Sequence, residues 1–556
     1  MYKIATLLLL LVWSVPDLAG QSTQGGLLIA TASNSTLAVP GSSEGNLTSL
    51  SVPIPISSGG TGAVTATNAT ADLQYLQGAI GSLARAVSSK LRDTVSVLDF
   101  AGCDPTGVAD STICIKNAIA SFNGAVTGGV VYMPAGIYKI SATLDFGDKQ
   151  NIYLHGAGFN TTVIRPTALV KTAVSFGNIG TNNQGISDLT IDCSRAVSCD
   201  GVRIQKVNTF TLSNVSIHKP HIGINIQGGV IQYYTNFVIS NPIMAGIYLH
   251  GGNDQYLVNG VIQGGATEPS MGGIWSDSSG AFWIMNVDAI ACGNGMLLNP
   301  GTGQEIDWLF VMNSAFDSGN GSGIFINPTG TGFIKGSTFI GNWTSTNRKA
   351  GVFINGTGKV QGLRFIGHRS FNNVMSGYMV GSNASFNDIS FDDSDASGNS
   401  TAAINTYSGF DIGAISGLSI SNCRSGQEAG FRNTQSRGIL INPGHVNNYI
   451  LVNNDVRGNL SASILDDGTG TTKIVKNNLG YNPIAKTAIV VAPSPYSYTN
   501  SSGDTIEVFV AGGMVNSITV AGSLVASATN VGVIVPEGEK VVVTYGVAPK
   551  MSYAGF

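Results

Sequence analysis

The sequence predicts an all-β protein whose bulk is a right-handed parallel β-helix, with an N-terminal neck and a small C-terminal β-domain. Two observations lead there. Glycine followed by an apolar run recurs as G-V-R-I at Gly201, G-I-N-I at Gly223, G-I-Y-L at Gly246 and G-I-W at Gly273, then at Gly295, Gly323, Gly351, Gly377, Gly409 and Gly438. The spacing runs from 22 to 32 residues, which is the range of solenoid repeats. Composition agrees: 73 of 556 residues are Gly and only 11% are charged, while the Lys and Glu that normally coat helices are scarce.

Between successive glycines lies a second alternating run, such as F-T-L-S-N-V-S-I or I-S-G-L-S-I-S-N, so each period holds at least two short strands and a turn. Alternation points Ile, Val, Leu and Phe inward. Asn, Ser and Thr face out or take the corners, where Gly and Asn tolerate left-handed backbone. A sandwich of hairpins would need N-G or D-G turns every 8 to 12 residues or so, and these are not regular here.

An open β-helix exposes an edge at each end. Asp110 is placed to cap a helix over D-S-T-I-C-I-K-N-A-I-A-S-F, whose Ile113, Ala118 and Phe122 would cover the first coil. Leu73, Leu76, Ile80, Leu83 and Val87 fall at 3-4-3-4 spacing, which suits a short coiled-coil neck or a single packed helix. From G-Y-N-P at 480 the repeat stops and short strands follow at sandwich-like spacing. The start has one Lys, about eleven apolar residues and then small residues ending at Gly20, which fits a secretory signal peptide and is too short to span a bilayer. The expected division is a signal peptide over 1–20, a Ser/Thr/Gly-rich attachment region and neck over 21–94, the β-helix over 95–480 and the C-terminal domain over 481–556.

A formal net charge of −4 with no basic cluster argues against a nucleic-acid partner. The six Cys form no dense framework and contain no C-x-x-C pair. Cys103 with Cys114, and Cys193 with Cys199, would be local disulfides in an exported protein and buried thiols otherwise.

The run V-L-D-F-A-G-C-D-P-T-G-V-A-D-S-T, followed by G-G-V-V-Y-M-P-A-G-I-Y-K-I and I-Y-L-H-G-A-G-F-N-T-T-V-I, resembles the opening of the pectate-lyase-like β-helix superfamily over residues 95 to about 165. S-S-K-L-R-D-T-V-S-V before it resembles the joint that leads into the β-helix of bacteriophage tail spikes. I-P-I-S-S-G-G-T-G-A at 54–63 resembles a Gly-rich element of phage tail-fibre proteins. The resemblance implies a secreted or virion-tail protein that binds a surface polysaccharide, degrades it if catalytic, and assembles as a homotrimer. Virion proteins need no signal peptide, so a secreted bacterial relative accommodates both features. The alternative is a non-catalytic rod whose C-terminal domain contacts the glycan.

Lyases of this superfamily need a base for the proton α to a uronate carboxyl group, with Ca²⁺ or Arg steadying the enolate, whereas hydrolases need paired carboxylates. The N-T-D and G-H-G signatures of polygalacturonases are missing. Polar residues that follow the second strand of five successive coils would stack into a column about 20 Å long. Asp288, Asp317, His368, Arg369, Asp392 and Asp393 are its catalytic candidates; Asn342, Trp343 and Asp395 are its substrate-binding candidates, with Trp343 as a stacking face. Asp and Asn are also good corner residues, which is the competing explanation. The D-D-S-D cluster lacks the spacing and Gly of an EF-hand loop, so no metal ligand is assigned and Ca²⁺ is the one cofactor left open.

Overall fold

The computed structural model describes residues 73–122, 128–178, 180–265, 271–444, 448–468, 470 and 472–555. The expected signal peptide and the Gly-rich element at 54–63 lie outside them. The chain divides into two units, 1–91 and 92–556.

In the first unit, Gln74–Tyr75 pairs antiparallel with Arg85–Ala86, and a five-residue helix, Val87–Leu91, follows. The helical seam expected from Leu73 to Val87 does not form. Gly78 and Gly81 lie at φ 79° and 85°, outside the helical region, so the chain folds back on itself there.

The second unit begins with a parallel β-solenoid of about 14 turns. Most coils contribute one strand to each of three faces. The first face stacks Thr172–Phe176, Asp200–Gln205 and Ile222–Gln227, and continues up to Ala462–Gly468. The second runs from Thr94–Ser96 to Lys473–Lys476, and the third from Thr106–Asp110 to Arg424–Gly426. Register is kept because one residue of slip would turn every inward side chain to solvent. Val202, Ile224, Ile247, Ile274, Met296 and Ile324 are in register along the first face and fully buried. Each such side chain contributes roughly 1.5–3 kcal/mol by leaving water. Inside the early coils Phe146, Phe176, Phe210 and Tyr234 stack along the axis at centroid distances of 4.6, 5.1 and 5.8 Å.

The covering helix runs over Thr112–Ala120. Asp110 Oδ1 accepts from the Thr112 amide at 2.9 Å. Its buried face is Cys114, Ile115, Ala118 and Ile119, whereas Ile113, expected to pack inward, is 68% exposed. A disulfide joins Cys103 to Cys114, and Cys193 and Cys199 are buried thiols, Cys199 Sγ donating to Asp200 O at 3.3 Å.

Beyond the last coil, two four-stranded antiparallel sheets enclose a separate core that includes Ile506, Val508, Ile518, Val535 and Val543. The Val475 amide donates to Gly503 O at 2.7 Å, and Lys476 pairs with Asp504 at 2.9 Å, so these sheets are tied to the end of the rod. No helix among the described residues is long and apolar enough to cross a membrane.

Candidate functional site

On the first face, the residues that alternate with the inward Ile and Val form an outward column of Arg203, Asn225, Tyr248 and Trp275. Gln205 and Gln227 are paired two residues further along their strands. In the next pairing the register breaks: Leu249 stays opposite Ser276, but His250 is opposite Ser278. Asp277 is the extra residue. A β-bulge re-aims the side chain it carries, and here Asp277 reaches back to the preceding coil. Its Oδ2 accepts from Tyr248 Oη at 2.7 Å, and its Oδ1 lies 2.8 Å from His250 Nδ1. Tyr248 Oη and His250 Nδ1 are 3.5 Å apart, and Tyr248 leans on Trp275 with ring centres at 4.7 Å.

Beside this triad lies a cavity of about 470 Å³ lined by Asn178, Gln205, Lys206, Gln227, Gly228, His250 and Gly251. Its floor stays open because successive corners use glycine. Gly228 and Gly251 sit at φ 82° and 81°, a conformation that L side chains avoid, and a Cβ there would reach Lys206 Cγ at 3.4 Å and Gly228 Cα at 3.9 Å. A polar chain braces the wall: Gln205 Nε2 donates to Gln227 Oε1 at 3.2 Å, Gln227 Nε2 to Asn225 Oδ1 at 3.3 Å, and Asn225 Nδ2 to Asp200 Oδ2 at 2.9 Å. Arg203 stands two coils from Tyr248 in the same column, about 10 Å along the axis. Its Nε is buried without a hydrogen bond.

Burial and the neighbouring Asp277 carboxylate push the Tyr248 phenol well above its ordinary pKa. It is therefore a protonated donor at neutral pH. The arrangement gathers a phenol and an imidazole on one carboxylate, with Lys206 on the same cavity. Such a set can move protons on a bound anion.

The column expected on the third face divides. Asp288, Ala315, Trp343, Arg369 and Asp395 are in register and point outward. Asp317 lies two residues away, opposite Ile290 and Ser345. Asp392 closes the second face, where it accepts from Ser421 Oγ at 3.0 Å and Asn422 Nδ2 at 2.9 Å, and Asp393 is an exposed corner residue at φ 49°. Arg369 is held by Glu428 at 2.6 Å and Asp395 at 3.5 Å.

Two candidates turn inward and are corrected here. Asn342 is buried, its Oδ1 accepting from the Ser314 amide and its Nδ2 donating to Val311 O, both at 2.9 Å. His368 is fully buried among Phe365 and Tyr378, and desolvation lowers its pKa to about 3. Both precede an outward residue by one position, so strand alternation carries them into the core. Among the described residues no three of His, Cys, Asp and Glu gather as a metal site.

Tyr248, His250 and Asp277 escaped the sequence reading, which searched only after the second strand of each coil. The signal was present in G-I-Y-L-H at Gly246 followed one coil later by G-I-W-S-D. Tyr and His alternate on one face there, and an acid follows in the next coil.

The family model for rhamnogalacturonase A/epimerase, pectate lyase-like, matches residues 94–297, a span that holds the triad. The rod is a pectate lyase-like β-helix. Mannuronan C5-epimerase AlgE6 of Azotobacter vinelandii is 38% identical over 117 residues, 19% of this chain and 13% of that protein. Alginate lyase 7 of the same organism is 36% identical over 110 residues, 17% of this chain and 12% of that protein. The matched stretch thus spans about an eighth of each of these relatives. A mutant tailspike protein of E. coli bacteriophage HK620, solved in complex with pentasaccharide, shares the fold with a TM-score of 0.55. It is 14% identical, over 88% of this chain and 97% of that one.

Proposed function

We propose that the pectate lyase-like rod binds an acidic polysaccharide along its first face and removes the proton at C5 of a uronate residue. The observation that supports this reading is the sharing of Asp277 by Tyr248 and His250 beside Lys206.

The C5 proton is acidic only to the extent that charge growing on the adjacent carboxylate is offset. Lys206 supplies that offset for the reacting sugar, and Arg203 meets a neighbouring uronate along the chain. His250 takes the proton. Tyr248, kept protonated by its surroundings, returns one. A proton returned to C5 from the opposite side, by solvent because Tyr248 and His250 share one face, inverts that carbon. Delivery to the bridging oxygen at C4 breaks the glycosidic bond as the C4–C5 double bond forms. Both outcomes share their first step, in keeping with relatives named as epimerases and a lyase. The tailspike likeness and the apolar N-terminal stretch support an extracellular or virion-surface location and a homotrimer, which sedimentation of the full chain would test.

The catalytic experiment is incubation of the full chain with polymannuronate and other polyuronates in deuterated water. Deuterium entering C5 means epimerisation, and ultraviolet absorbance of an unsaturated product means elimination. If a folded protein gives neither with any polyuronate, the proton-transfer reading is wrong and the rod is a binding surface.

A further inference from the structure

A separate pocket on the third face has a different chemistry. Asp288, Asn313, Ser314, Ala315, Gly341 and Trp343 line a cavity of about 310 Å³. Trp343 is 46% exposed, standing edge-on to Phe371 with ring centres 6.0 Å apart, so the indole is braced but not covered. A large aromatic ring left open beside a cavity is a platform for the C–H face of a sugar ring. Asp288 and Asn313 offer hydroxyl partners at its margin. Gly341 keeps the entrance clear: it sits at φ 62°, and a Cβ there would approach Asn313 Oδ1 to 2.9 Å.

The charge at this pocket is the reverse of that at the first. Asp317 stands close enough to raise the pKa of Asp288, adding to the effect of burial. The nearest cation in the column, Arg369, is already paired with Glu428 and Asp395. An anionic sugar would meet the Asp288 carboxylate here, with Asp317 close behind it and no cation among the described residues that line the pocket, and like charges at short range disfavour binding.

We infer that the Asp288–Trp343 pocket is a second carbohydrate site, one that takes a neutral pyranose, so that the rod binds uncharged glycan on its third face and uronate on its first. The assignment rests on a different face and different residues from the proton-transfer reading, and it stands if that reading fails.

The test is affinity electrophoresis and tryptophan fluorescence of the full chain with neutral gluco-, galacto- and manno-oligosaccharides, and in parallel with polymannuronate. Wild-type protein binds at least one neutral series, and Trp343→Ala and Asp288→Asn each weaken that binding at least tenfold while leaving polymannuronate binding unchanged. Tyr248→Phe leaves neutral-glycan binding intact. Absence of neutral-glycan binding by wild type overturns the assignment, and so does unchanged binding by Trp343→Ala. Loss of polymannuronate binding in Trp343→Ala would also overturn it, by placing the pocket on the uronate path. If neutral binding depends on Trp343 while polyuronates are neither bound nor altered, the first-face reading fails and the third-face site is upheld.

Discussion

The coils before and after residue 305 are built from one repeat, yet they hold their corners in different ways. Before it, two strands are long: Ala245–Gln263 and Gly272–Ile290 run 19 residues each, through two corners without interruption. Single left-handed residues such as Asn236, Asn259 and Asn286 make one set of turns, which Asn313, Asp393 and Asn422 continue in the later coils, and glycine pairs such as Gly228–Gly229 and Gly251–Gly252 make another. After residue 305 many strands shrink to three residues, and buried amides button the corners. Asn347 Nδ2 donates to Asn373 Oδ1 at 3.0 Å, Asn373 to Asn399 at 2.9 Å, Asn399 to Gln435 at 3.0 Å, and Gln435 to Asn459 at 3.2 Å. In the later coils those polar groups are committed to the backbone and to one another. In the earlier coils Tyr248 and His250 project from a continuous strand, and a bulge brings them a partner. Buried amides also brace the earlier coils, where Gln232 Nε2 donates to Val207 O at 2.6 Å and Gln255 Nε2 to Gln232 Oε1 at 3.1 Å, so what sets those coils apart is the outward Tyr248 and His250 with a bulge to partner them.

The largest effects should separate the two regions. Tyr248→Phe or Asp277→Asn should lower turnover of polyuronate about 10²–10⁴-fold, with the thermal unfolding midpoint little changed, because both side chains lie on the outside of the rod and neither replacement alters the core. Asn373→Ala should do the reverse. It orphans the Asn347 amide and breaks the row, costing about 1–3 kcal/mol in denaturant unfolding, while turnover per folded molecule holds. Equal loss of activity in both kinds of variant would erase the distinction between the regions.

The contrast also explains what could be read from the sequence. The repeat glycines and alternating runs gave the solenoid and its inward residues, because inward Ile and Val have one energetic solution, but they mark only ten of the about 14 turns. Asn342 and His368 were misplaced by a single residue, since a corner's left-handed residue decides which neighbour turns inward and the pattern of polar residues does not show that. Asp277 could not be read as a bulge from one chain, because an extra residue in a strand looks like any other polar position. Ile113 was assigned inward and Ile115 was passed over, as a nine-residue helix offers too few turns for periodicity to choose a face.

A smaller effect sharpens the correction of His368. Its folded pKa, near 3, lies below the ordinary 6.5, so burial favours the neutral ring. The folded state is therefore at full stability above pH 6.5 and loses it as pH falls toward 3, at up to about 1.4 kcal/mol per unit. His368→Asn, which places a ladder amide at this position, should flatten that slope in denaturant unfolding at pH 7, 6 and 5 and leave glycan binding as it was. An unchanged slope would mean that His368 is not the buried group that titrates.

The smallest expected effect is at Asp317, and it links the two corner styles. Asp317 accepts from Ser318 Oγ at 2.8 Å and from Thr346 Oγ1, and its charge adds to burial in raising the pKa of Asp288. Asp317→Asn removes the charge but not the burial, so the Asp288 pKa should fall part of the way toward its ordinary value. A carboxyl whose folded pKa is raised destabilises the fold once pH exceeds its unfolded value, so this variant should gain slightly at pH 7 relative to pH 3, by less than about 0.5 kcal/mol for so accessible a site. Carboxyl-carbon NMR titration of Asp288 in the two proteins reads the shift directly. If Asp288 titrates identically in both, its surroundings are set by the strand alone, and the acidic character assigned to the third-face pocket rests on one carboxylate instead of two.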